Sequence, residues 1–102
     1  ILDCTDLDIA ELLEKRERRG SSWSRIIAQG DALSIARAAI ELQVIALLSS
    51  LTAQEAGLLL EARSALEQEA CACLSIRPTD AHKRIQRFLA DTATEALQAR
   101  AA

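Results

Sequence analysis

The sequence predicts an all-α protein, a small antiparallel bundle of four to five helices that is dimeric. Three observations predict it. Hydrophobic residues make up 50% of the 102 residues while aromatics make up only 2%, so the apolar content is mainly Ala, Leu and Ile. Ala and Leu are strong helix formers, and the residues that favour strands are nearly absent. Gly 3 and Pro 1 provide too few chain reversals for a sandwich or barrel of short strands. A chain of this length forms one domain, residues 1–102.

The first segment, 6–19, reads as a helix capped by Thr5, with Asp6 and Asp8 at its positive end. Lys15, Arg16, Arg18 and Arg19 complement its negative end, and Gly20 is placed to close it. Ile9, Leu12 and Leu13 form its apolar face, and the last turn is too charged to be buried. Ser21 or Ser22 then caps a short helix reaching Gln29. Gly30-Asp31 reads as a stop followed by a new cap, opening a helix over 32–50. The first half of that helix is amphipathic, with Ser34, Arg37 and Glu41 on a polar stripe. Its second half is apolar on nearly all sides, which predicts burial all round. Thr52-Ala-Gln-Glu55 is a capping box opening a helix to about Ile76. The expected core stripe of this helix is Ala56, Leu59, Ala62, Leu66, Ala70 and Cys73. Arg77-Pro78 ends it. A last helix follows Thr79, with Ile85, Phe88, Leu89, Ala93, Ala96 and Leu97 on one side.

The junction between the 32–50 and 53–76 helices carries more apolar surface than one core face uses. Leu58, Leu59 and Leu60 together span about 200° of helix circumference, so they cannot all face one core. Burying a leucine stabilises by roughly 1.5–3 kcal/mol. Val44, Leu47, Leu48, Leu51, Leu58 and Leu60 are therefore the expected oligomer or partner interface.

The chemistry-bearing residues are few. Cys71 and Cys73 are two positions apart on a helix, point about 160° away from each other, and cannot share a metal or a disulfide. Both read as small buried hydrophobes. His82 is the single histidine. A lone histidine at a helix start invites comparison with histidine phosphotransfer domains. Ala81-His82-Lys83-Arg84-Ile85 lacks the small residues and glycine which that family places after its histidine. No nucleophile–base pair, phosphate-binding loop or metal-ligand spacing is present, so no enzyme activity, cofactor or metal is expected. Glu67 and Glu69 read as a solvated charge run.

Two basic clusters remain, Lys15–Arg25 around Trp23 and Arg77–Arg87 around His82. Trp23, Arg25, Lys83, Arg84 and Arg87 are the candidate polar contacts to a partner, with core anchoring the commoner role for Trp23. The net charge of −3 argues against nucleic acid and anionic membranes. A helix-turn-helix would place Leu33–Ile40 in the groove, a segment too apolar to read bases. No apolar run reaches the roughly 18–20 residues of a membrane span. The acidic opening does not read as a secretory leader, and three cysteines predict free thiols in the cytoplasm. In size and composition the chain resembles bacterial antiactivators that sequester a transcription factor, and type III secretion chaperones. Either resemblance implies a regulatory interaction protein whose partner is another protein.

Overall fold

The computed structural model describes residues 12, 13 and 16–101. Among these the chain is all-helical: α1 Arg16–Gln29, α2 Ala32–Leu48, α3 Ala53–Leu74 and α4 Pro78–Ala101. No helix among the described residues is long and apolar enough to cross a membrane. Thr5, Ile9 and most of the 6–19 segment lie outside the described residues. Leu12 is fully buried in the core and Leu13 packs against it.

Helix α1 corrects the expectation of two helices meeting at Gly20, because it runs unbroken through Gly20, Ser21 and Ser22. Arg16, Arg19, Trp23 and Ile27 recur at helical spacing on one side of α1. Trp23 and Ile27 are buried, and both arginines pair with carboxylates on other helices. Those tertiary contacts outweigh the roughly 1 kcal/mol that glycine costs in a helix interior.

The real break is at Gly30, whose N–H donates to the Ile26 carbonyl at 2.6 Å. A Cβ at Gly30 would sit 2.4 Å from that oxygen, so the close approach requires glycine. Asp31 then caps α2, accepting from the Ser34 N–H at 2.8 Å. The hydrogen bonds from Ser34 hold the Asp31 carboxyl below its usual range.

Helix α2 is the centre of the bundle and packs against α1, α3 and α4. Between Ile35 and Ile45 it buries nine residues on every side, Glu41 among them. The polar stripe expected from Ser34, Arg37 and Glu41 is therefore corrected: Ser34 and Arg37 are exposed and Glu41 is enclosed.

The capping box at Thr52 is formed. Thr52 Oγ1 accepts from the Glu55 N–H at 3.1 Å, and Glu55 Oε1 accepts from the Thr52 N–H at 2.9 Å. The core side of α3 is Glu55, Leu58, Leu59, Ala62 and Leu66. Of the stripe expected there, Leu59, Ala62 and Leu66 are buried, whereas Ala56 and Cys73 are exposed and Ala70 is half-buried. The last two turns of α3 contain no fully buried residue. The helix stops at Leu74, with Ser75 in the left-handed region at φ 53°. Pro78 opens α4 at the position where its missing N–H costs nothing. Leu89, Ala93 and Ala96 bury one side of α4, while Phe88 falls at its exposed edge.

Replacing Thr52 with alanine removes the cap acceptor and is expected to lower stability by about 1 kcal/mol in a urea melt. A change too small to measure would mean that α3 starts without help from its cap.

Candidate functional site

The end of the α2–α3 hairpin is built by Arg16. Its Nε donates to Glu55 Oε2 at 2.7 Å, and Nη2 donates to Glu55 Oε1 and, at 2.6 Å, to the Ser50 carbonyl. Nη1 reaches Ser49 Oγ at 3.3 Å. One guanidinium on α1 thus ties Ser49 and Ser50 of the loop between α2 and α3 to Glu55 in the first turn of α3. The hydrogen bonds from Arg16, reinforced by Thr52, hold the Glu55 carboxyl down at about 2. The same pair raises the Arg16 pKa.

On this braced end, Leu47 is 50% exposed and Leu48 is 41% exposed. Leu51 is half-buried and packs against the core. Val44 and Leu58, expected at the interface, are both buried in the chain's own core and offer nothing to a partner. The bundle packs more closely around α2 than the apolar surplus suggested, so the surface left over is smaller than expected.

Leu60 is 66% exposed and faces away from the buried side of α3. Around it the outward face carries Ala53, Ala56, Gly57 and Ser64, all exposed. Gly57 has nothing within 4 Å of the place where a Cβ would sit. A mid-helix glycine costs about 1 kcal/mol relative to alanine, and no contact among the described residues uses its small size.

The basic candidates separate. Trp23 is 1% exposed and is a core residue. Arg16 and Arg19, read from sequence as complements of a helix dipole, are instead tied to Glu55 and Glu41. Arg25 remains exposed on α1. Lys83, Arg84 and Arg87 share one stripe of α4 with Phe88, but Asp80 and Asp91 line the same shallow groove. His82 Nδ1 lies 3.1 Å from Glu67 Oε1, an exposed tie between α3 and α4. Glu69 accepts a hydrogen bond from Cys73 Sγ at 3.4 Å, which raises the thiol pKa. Neither glutamate is the simple solvated charge expected. Cys71 is half-buried and Cys73 exposed, so they are not the buried pair expected.

A polar cluster missed in the sequence lies between α1 and α2. Glu41 is 6% exposed and accepts from Arg19 Nη1. Burial pushes its carboxyl pKa up, and attraction to Arg19 and Arg37 draws it part of the way back. The Trp23 indole N–H also draws it down, yet neither that N–H nor Arg19 Nε makes a hydrogen bond of normal geometry. This cluster faces the core and joins helices, so its role is structural.

No protein-family model, curated protein or solved structure matches the chain.

Proposed function

We propose that the protein is a non-enzymatic regulator that works as a dimer and binds another protein by helix packing, as an antiactivator sequestering a transcription factor does. The observation that carries this reading is the exposure of Leu47 and Leu48 on a hairpin end braced by Arg16. A rigid, apolar end loses little conformational entropy on docking, so each leucine newly buried contributes most of its roughly 1.5–3 kcal/mol. The likeness in size and composition to antiactivators supports the regulatory part of the proposal. A secretion-type chaperone would use the same surface.

DNA binding is the weaker alternative. Helix α2, which would have to serve as the recognition helix of a helix-turn-helix, has Ile35, Ala36, Ala38, Ala39 and Ile40 buried in the bundle. The α4 stripe interleaves Asp80 and Asp91 with its cations, which repels a phosphate backbone.

Affinity capture from native cells with mass spectrometry tests the proposal. The wild-type chain is expected to retain a transcription factor that Leu48→Glu loses, with Arg87→Glu lowering its recovery only a few-fold. Retention of the same proteins by wild type and Leu48→Glu removes the hairpin end as the docking site.

A further inference from the structure

We infer that the Lys83–Phe88 face of α4 docks an acidic amphipathic segment of a partner protein, with carboxylates over Arg84 and Arg87 and an apolar side chain against Phe88. The inference rests on the reading that this chain binds another protein. It adds a second contact and gives the partner's charge.

The first observation is charge. Lys83, Arg84 and Arg87 put three positive charges within about 6 Å along the axis of α4, in a chain whose net charge is −3. Lys83 and Arg87 are four positions apart and Arg84 and Arg87 are three apart. Both are like-charge pairs on neighbouring turns, which weaken a helix that stands alone. Asp80 and Asp91 stand four positions from Arg84 and Arg87, yet none of the three cations closes an ion pair among the described residues. A carboxylate seated over Arg84 and Arg87 removes a repulsion that the two aspartates leave standing.

The second observation is Phe88, which is 37% exposed and is one of only two aromatic residues in the chain. Successive residues of a helix turn by about 100°. Arg84 and Arg87 therefore run along the middle of the face, with Lys83 on one edge and Phe88 on the other. An aromatic ring beside arginines is the composition enriched in binding hot spots. Its complement is acidic along the middle and apolar along one edge, which describes an amphipathic segment.

The third observation separates this occupant from other anions. Asp80 and Asp91 close the two ends of the same shallow groove, about 16 Å apart along the axis. A nucleic-acid duplex carries one charge per roughly 1.7 Å, so it cannot reach the cations without meeting both aspartates. A run of carboxylates one or two helical turns long fits between them.

An NMR titration of the full chain with a synthetic helical peptide tests this. The peptide repeats Glu at three- and four-residue spacing along one side and carries Leu on the adjoining side. At low salt it is expected to bind with a dissociation constant below about 1 mM. The amides from Lys83 to Asp91 are expected to shift and those of Leu47 and Leu48 to stay in place. Lys83→Glu combined with Arg87→Glu is expected to weaken binding at least about tenfold. Raising NaCl from about 20 mM to about 200 mM is expected to weaken it several-fold. Phe88→Ala is expected to weaken it about threefold at either salt concentration. Lys83, Arg87 and Phe88 are all exposed, so the variants should keep the wild-type melting temperature. Absence of binding up to about 1 mM peptide overturns the inference, as does a Phe88→Ala chain that binds like wild type. A short DNA duplex or phosphatidylserine vesicles binding this face more tightly than the peptide would assign it to polyanions, and would also overturn the inference. Leu48→Glu lies off this face and is expected to leave the peptide affinity unchanged. The titration and the capture experiment therefore fail independently.

Discussion

Replacing Trp23 by alanine is expected to lower the unfolding free energy by about 3–5 kcal/mol, the range for deleting a fully buried aromatic side chain. A domain of this size has a total of roughly 5–15 kcal/mol, so the variant should be close to unfolded at physiological temperature. Trp23 is the largest side chain that the bundle encloses completely, and only one other aromatic exists in the chain, at the exposed edge of α4. Trp23→Phe separates packing from polarity. It keeps most of the volume and removes an indole N–H that engages Glu41 only weakly, so its expected loss is below about 2 kcal/mol. Urea melts followed by circular dichroism measure both variants. A loss under about 1 kcal/mol for Trp23→Ala would show that α1 is not anchored on the core through this residue.

Sequence and structure agree where the governing interaction is local. Thr52 and Glu55 are three residues apart, and Asp31 and Ser34 likewise, so the caps could be read directly from the chain. The burial of α2 was legible only in part: its second half was expected to be enclosed all round, whereas Leu47 and Leu48 at its end are exposed and the enclosed span, Ile35 to Ile45, reaches back into the half expected to be amphipathic. The disagreements lie where a distant partner decides. Arg16 and Glu55 are 39 positions apart, and Arg19 and Glu41 are 22 apart. Nothing near either arginine announces its carboxylate, so both read as helix-dipole complements. The same partners carry α1 through Gly20, where local propensity favours a stop. A signal was present, since Arg16, Arg19, Trp23 and Ile27 keep helical spacing across the glycine. The α3 stripe failed at its end, because Ala70 and Cys73 lie in turns that extend past the enclosed core. At the candidate site, the leucine surplus was legible, but its division was not. Val44 and Leu58 went to the core and Leu47, Leu48 and Leu60 to the surface, a choice set by how α1 and α4 pack on α2 and α3.

The pH dependence of stability is expected to be shaped by two glutamates acting in opposite directions, and Arg16→Ala isolates one of them. Glu55 has its pKa lowered from 4.5 to about 2 by Arg16. The unfolded chain therefore binds more protons than the folded chain between those values. The stabilisation is complete above the ordinary value and is lost as pH falls towards about 2. Allowing for the partial exposure of Arg16, its size is about 2–3 kcal/mol. Glu41 has its pKa raised, chiefly by burial, so its favourable contribution is present in acid and is lost as pH rises through that raised value. Together they place the best stability near the ordinary glutamate pKa. Urea melts between pH 2 and pH 7 are expected to show a steep acid limb in the wild type and a flattened one in Arg16→Ala. The variant is also expected to lose about 2–3 kcal/mol at pH 7, where the wild-type pair is fully formed. Glu41→Gln should flatten only the limb above the ordinary glutamate pKa. Parallel curves for wild type and Arg16→Ala would mean that Arg16 does not hold Glu55 ionised. The brace beneath Leu47 and Leu48 would then have to come from elsewhere.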